Sequence, residues 1–204
     1  MKEKKDKYHQ ILESAVRVFA KNGFQQATIS QIAQEAGVAD GTIYLYFKSK
    51  DDILIQFWNQ KAKQVFEKFR AKVEKGVNAH EKLSNLIHIH LAEFQQDRDM
   101  AMVYQIETHQ HHRTAGEQIK DISKMYLDIV SEIVDQGQAE GSMRRDLYVA
   151  LVKRFIIGAV DEVISTWLHS ETEYDLSSMA QPLVDLFIRG IGSSHLLSNR
   201  KPVI

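Results

Sequence analysis

For 181 residues this chain contains no proline; the first of its two is Pro182. Proline lacks an amide donor and breaks helix interiors, so a chain that avoids it this long can run from one helix to the next. Glycine is sparse while Ala, Glu, Gln, Lys and Leu are plentiful, which favours helices over strands. The expectation is an all-α fold. Cysteine is absent, which excludes disulfides and thiolate metal sites and fits a reducing cytoplasm. No apolar run reaches the roughly 18 residues that span a bilayer, and the lysine-rich N-terminus carries no hydrophobic signal segment. A soluble cytoplasmic protein without a membrane partner is therefore expected.

The most informative words lie between Thr28 and Phe47, TISQIAQEAGVADGTIYLYF. Ile29, Ile32 and Ala33 recur at helical spacing, and Thr28 stands three residues before Gln31, the pattern of a capping box. Ala36-Gly37-Val38 follows, with Gly37 able to take the left-handed conformation that ends one helix and turns the chain. A second helix of about two turns is expected from Ala39 to Tyr46. Two short helices joined in this way place one of them in the DNA major groove.

With the preceding Ile11-Leu12-Glu13-Ser14-Ala15 to Phe19 and Gly23-Phe24, this segment resembles the DNA-binding domain of TetR-type repressors. Ala33, Ala36-Gly37-Val38, Gly41-Thr42-Ile43-Tyr44, Tyr46-Phe47 and Lys50 carry the likeness. The resemblance implies a TetR-like plan: a three-helix helix-turn-helix head over residues 1–48 and a ligand-binding and dimerisation domain of about six helices over 49–204. Charge agrees with that plan. The whole chain has a net charge of −1, but residues 1–50 carry +3 and the remainder −4, so positive charge gathers where phosphate would be met. Lys2, Lys4, Lys5 and Lys7 read equally as an arm reaching DNA or as a solvated terminus.

After Phe47 a long helix is expected from Ser49 to about Lys75, with Ser49 as cap and Asp51 and Asp52 at the positive end of its dipole. It is long enough to act as a lever between head and body. Further helical stretches are expected at about 80–96, 99–112, 115–139, 147–169 and 176–194. The helix Leu147 to Leu168, with Met179, Leu183, Val184, Leu186, Phe187 and Ile191 after it, offers apolar faces for a four-helix seam between two copies. A homodimer on a palindromic operator follows from the weak grip of a single head.

Ala39 to Phe47 contains neither Arg nor Lys, the commonest readers of guanine. Base reading then falls to Ala39, Asp40, Gly41, Thr42 and Tyr44, with Asp40 suited to a cytosine amine and Gly41 to close backbone approach. By resemblance, Thr28, Tyr44, Tyr46, Lys48 and Lys50 hold phosphates. So sparse a set leaves DNA shape a share of the specificity.

A second phrase narrows the likeness. Phe155 to Trp167, FIIGAVDEVISTW, resembles the corresponding helix of the FadR group of TetR-type repressors through Gly158, Asp161-Glu162 and Thr166-Trp167. The resemblance implies a repressor of fatty-acid degradation genes that leaves DNA when long-chain acyl-CoA binds. An acyl chain needs an apolar tunnel, for which Leu86, Ile89, Phe94, Met102, Val103, Ile106, Met125, Tyr126, Ile129 and Phe155 are the candidates. Each buried methylene contributes about 0.8 kcal/mol, so a deep tunnel favours long chains. The CoA phosphates need cations, and Arg98, His109, His111, His112, Arg113 and Lys120 are the nearest supply. The resembling proteins carry arginine where this chain has histidine, which leaves the phosphate grip open. The alternative is a multidrug sensor in which Glu107, Asp161 and Glu162 attract a cationic or aromatic compound.

Other classes fare worse. His88, His90, His109 and His112 suggest metal ligands, but no cysteine or well-spaced acid completes a familiar set, so no metal is expected. There is no Gly-rich phosphate loop and no Gly-x-Ser-x-Gly elbow, and adjacent acids on a helix point about 100° apart, a poor acid/base pair. No cofactor and no catalytic residue are expected.

Overall fold

The computed structural model describes residues 2–109 and 114–192, the side chains of residues 2–5 and 109 excepted. Among these residues every extended element is a helix: α1 (Lys2–Asn22), α2 (Ile29–Glu35), α3 (Asp40–Ile43), α4 (Lys50–Val73), α5 (Ala79–Gln96), α6 (Arg98–His109), α7 (Gly116–Ala139), α8 (Val149–His169) and α9 (Ala180–Ile191). A 3₁₀ turn, Leu176–Met179, precedes α9. The stretch expected as one helix over 176–194 is divided there because Pro182 lies in the first turn of α9, where its missing amide is tolerated.

The chain forms two compact units, Met1–Gln64 with Asp97–Ile122, and Val65–Gln96 with Ser123–Ile204. The first holds α1, α2, α3, α6, the first part of α4 and the start of α7. Buried Ile11, Leu12, Ala15, Val16, Val18 and Phe19 cover more than one stripe of α1, so that helix packs against α6 as well as α2. From α6, Met100, Ala101, Val103 and Tyr104 are buried. Asp97 fastens the junction: one carboxylate oxygen accepts the Met100 amide at 3.0 Å and the other takes the Lys61 ammonium at 2.6 Å.

The helix-turn-helix forms as its local signals dictate. Thr28 Oγ1 accepts the Gln31 amide at 3.2 Å, and Gln31 Oε1 accepts the Thr28 amide at 2.9 Å. At the other end of α2, Gly37 has φ +63°. The Val38 amide reaches the Ala33 carbonyl at 2.9 Å and the Gly37 amide reaches Gln34 at 3.1 Å, the two bonds of a Schellman stop. The second helix is shorter than the two turns expected. Beyond Ile43 the amides of Leu45 and Tyr46 bond three residues back, to Thr42 and Ile43. The Phe47 amide bonds four residues back, to Ile43 at 3.0 Å, and its buried ring stacks on Tyr8 at 4.9 Å.

In the second unit α5 packs against α8, α9 and the 3₁₀ turn. Leu83, Leu86, Ile87 and Leu91 of α5 are fully buried. At the far end of α7, Gly137 is required by packing: a Cβ there would lie 2.6 Å from the Met143 side chain and 3.1 Å from the Ala79 methyl. Such close approach lets the Glu140 carboxylate accept the Ala79 amide at the start of α5, at 3.1 Å.

Candidate nucleic-acid interface and ligand-binding compartment

The first unit presents a short outward surface built on α2, α3 and the turn after them. Thr28, Ala39, Asp40, Gly41, Tyr44 and Lys48 are exposed, and Thr42 and Tyr46 half-buried. Ile43 and Phe47 point inward and are buried, leaving Tyr44 at 60% and Leu45 at 74% exposure. Two large apolar-bodied side chains in water, in the turn directly after α3, are an unusual surface for the chain's own stability. They suit apolar contact with thymine methyls and sugar edges. Leu45 was not among the residues the sequence singled out, and its exposure adds it to this surface.

Gly41 supports the same reading. A Cβ built there meets nothing within 4 Å, so no intramolecular packing calls for glycine at that position. Tyr46 lies against the buried Phe47 ring, with centroids 6.5 Å apart, so its ring is partly anchored.

Lys50 behaves differently from the phosphate contact expected of it. It is the first residue of α4, and its ammonium donates to the carbonyls of Phe24 at 2.8 Å, Gln25 at 3.0 Å and Ala27 at 3.0 Å. The same ammonium stands 4.7 Å over the Phe24 ring. Lys48 remains exposed, and its backbone amide is held by Asp52 at 2.9 Å.

The tunnel candidates fall into two groups. Val103 is buried and Met102 and Ile106 half-buried in the first unit. In the second, Leu86, Phe94, Tyr126 and Ile129 are buried and Ile89 is half-buried. Met125 and Phe155 face outward, at 40% and 54% exposure. Phe155 shares its side of α8 with exposed Tyr148 and Leu151, at spacings of four and three. That row continues through exposed Gly158, Glu162 and Thr166, and Leu186 of α9 is also exposed. The His109 side chain and Arg113, with His111 and His112, lie outside the described residues.

His90 is the residue the sequence misplaced. It lies four residues from Leu86 and from Phe94, on the buried side of α5, a position its helical spacing already marks. Its ring packs among Phe94 at 4.9 Å, Tyr126 at 5.0 Å and Phe69 at 5.5 Å. Burial drives its pKa down from the usual 6.5 to about 3, so the ring is neutral and one nitrogen must accept while the other donates. Nδ1 is shut off from solvent and meets no hydrogen-bond partner among the described residues. Trp58 Nε1, in the first unit, is in the same condition. Close by in the second unit, buried Glu93 is held by Lys68 at 2.6 and 2.8 Å.

The acids of the multidrug alternative are differently disposed. Glu107, fully buried in the first unit, accepts the Ala115 amide at 3.1 Å. Glu162, in the second, is exposed on the α8 row. Among the described residues no three His, Cys, Asp or Glu gather to hold a metal ion, and no helix is long and apolar enough to cross a membrane.

Comparison with known proteins matches the head and the body separately. Residues 11–57 match the model for bacterial regulatory proteins of the tetR family, and residues 58–190 that for the C-terminal region of YsiA-like proteins. The Fatty acid metabolism regulator protein of Bacillus subtilis (strain 168) is 39% identical over 191 residues, covering 94% of this chain and 98% of the relative. Among solved structures, FadR from Bacillus subtilis in complex with stearoyl-CoA aligns with a TM-score of 0.82 at 38% identity, over 90% of this chain and 99% of that one. The fatty acid degradation regulator FadR from Bacillus halodurans aligns with a TM-score of 0.83 at 35% identity, over 90% and 95% of the two chains. The chain belongs to the TetR family of bacterial transcriptional regulators, with a YsiA-like C-terminal region.

Proposed function

We propose that this protein is a cytoplasmic repressor of fatty-acid degradation genes, a homodimer that binds a palindromic operator and leaves it when long-chain acyl-CoA enters its C-terminal region. It works by binding and not by catalysis. The observation that carries the reading is the near-full-length likeness, at 38% identity, to a FadR structure holding stearoyl-CoA. Composition supports it: Leu86, Phe94, Tyr126 and Ile129 are buried aliphatic and aromatic side chains of α5 and α7, the residue types an acyl chain requires around it. The exposed α8 row, with Leu186 of α9, supplies apolar area for the second copy.

Release is a difference of affinities. Acyl-CoA must prefer the form that does not fit the operator, and ordinary coupling of this kind amounts to about 1–3 kcal/mol, or 5- to 150-fold in DNA affinity. Half-sites one helical turn apart lie about 34 Å centre to centre, so a change of a few ångströms in the separation of two heads suffices. The test is titration of the purified protein on its own upstream DNA with palmitoyl-CoA, free palmitate, CoA or a cationic dye. Release by palmitoyl-CoA alone is expected. Release by the dye alone would replace this reading with the multidrug sensor.

A further inference from the structure

Lys50 stands where sequence places a phosphate contact, at the start of a helix directly after the helix-turn-helix. Its geometry is that of an internal fastening. An ammonium has three N–H groups, and three backbone carbonyls receive them at 2.8, 3.0 and 3.0 Å. The acceptors, Phe24, Gln25 and Ala27, form the turn that leaves α1 and enters α2. That turn is itself tightly made: Gly23 takes φ +75°, its amide bonds to Phe19 at 2.9 Å, and the Ala27 amide bonds to Gly23 at 3.1 Å. The Phe24 ring, buried against Phe19 at 5.2 Å, lies beneath the ammonium at 4.7 Å. At the other side of Lys50, Ser49 caps α4 by accepting the Asp52 amide at 3.1 Å.

We propose that Lys50 is a positioning residue, a clamp that makes α2 follow the first turn of α4, and that it does not bind phosphate. A cation satisfied by three converging carbonyls has no donor left for DNA, and withdrawing it would leave those carbonyls without their partner. The clamp gives α4 a rigid hold on the helix-turn-helix at a point remote in sequence. Any displacement of the first turn of α4 therefore moves the entry to α2 with it. The second consequence rests on the effector reading above: if acyl-CoA acts through α4, Lys50 is the joint at which that motion reaches the DNA-binding helices.

The test uses the full-length protein, with K50M, K50R and K48M compared with the parent by operator anisotropy between 50 and 200 mM salt (roughly the range over which counterion release is readily measured). Thermal melts confirm that each variant is folded. K50M keeps the alkyl stem over Phe24 and removes the donors. It is expected to lower operator affinity roughly tenfold or more at every salt concentration, with the slope of log affinity against log salt unchanged. Its response to palmitoyl-CoA should shrink. K50R retains charge, but a planar guanidinium cannot aim three N–H groups at one converging set of carbonyls, so it should not restore affinity. K48M should flatten the slope by about two per dimer, one for each lost phosphate contact. A K50M slope flattened by about two, with affinity restored in K50R, would overturn the proposal in favour of a direct phosphate contact. K50M equal to the parent in affinity and response would overturn it as well. If no protein responds to palmitoyl-CoA, the effector reading fails while slope and Arg rescue still decide the role of Lys50.

Discussion

The surface around α3 and the interior around His90 are both small, both rich in aromatic side chains, and made in opposite ways. At α3 the chain folds by instructions a few residues long, a capping box at Thr28 and a left-handed stop at Gly37. Its aromatics are then left outside, with Tyr44 at 60% exposure. Around His90 the aromatics come from α4, α5 and α7, from Phe69 to Tyr126, and are turned inward. The first region is built by local geometry and leaves its aromatics exposed; the second is built by long-range packing and buries them. Substituting the exposed aromatics of the first should therefore change operator binding with little change in stability, and substitutions in the second should lower stability and leave operator affinity in place.

The largest effect should come from Tyr44→Ala. If each base or backbone contact is worth about 1–3 kcal/mol, two heads lose about 2–6 kcal/mol, and operator binding should fall about 30-fold or more by anisotropy. The denaturation midpoint and palmitoyl-CoA affinity should not move. Leu86→Ala tests the converse. A fully buried leucine removed from a helical core costs about 2–5 kcal/mol, read as a lower urea midpoint. The folded protein should still bind operator at close to parental affinity.

His90 sharpens the comparison through pH. Its folded pKa is lowered to about 3, so below the unfolded value of about 6.5 the unfolded chain takes up a proton that the folded chain refuses. The contribution is fully present above that value and is lost as pH falls towards 3, at up to about 1.4 kcal/mol per pH unit. Urea melts at pH 7.5, 6 and 5 should show that loss, and His90→Phe should remove its part of the slope. The smallest effect is expected at Thr28. Thr28→Ala breaks the capping box and should destabilise the head by about 1 kcal/mol, visible as faster amide exchange at Gln31 with little change in the global midpoint.

What the sequence could reveal follows the same division. The caps, the Gly37 stop and most helix boundaries depend on neighbours within five residues, so they were legible. The packing of α6 on α1 was not, because it depends on α1 being apolar on more than one side, and an isolated stretch of sequence gives no hint of which helix covers the second stripe. Lys50 shows the limit for a single residue. Its charge and helix-start position suggest phosphate, and only the fold reveals that the carbonyls of Phe24, Gln25 and Ala27 reach it first. His90 lay on a legible stripe, between Leu86 and Phe94, yet its type drew attention to metal. Phe155 shows a different limit: apolarity alone does not tell whether a side chain is buried, and Phe155 is 54% exposed.

The central claim is that one chain joins an operator-reading surface to an acyl-binding interior. The most direct measurement is operator anisotropy with the parent protein and its Tyr44→Ala and Leu86→Ala variants, each titrated with palmitoyl-CoA and followed in parallel by calorimetric binding of palmitoyl-CoA in the absence of DNA. The account predicts that the parent binds both ligands and loses operator affinity 5- to 150-fold when acyl-CoA is bound, as ordinary coupling allows, and that Tyr44→Ala binds acyl-CoA alone. Palmitoyl-CoA that binds the parent without changing its hold on DNA, or that does not bind at all, would contradict it.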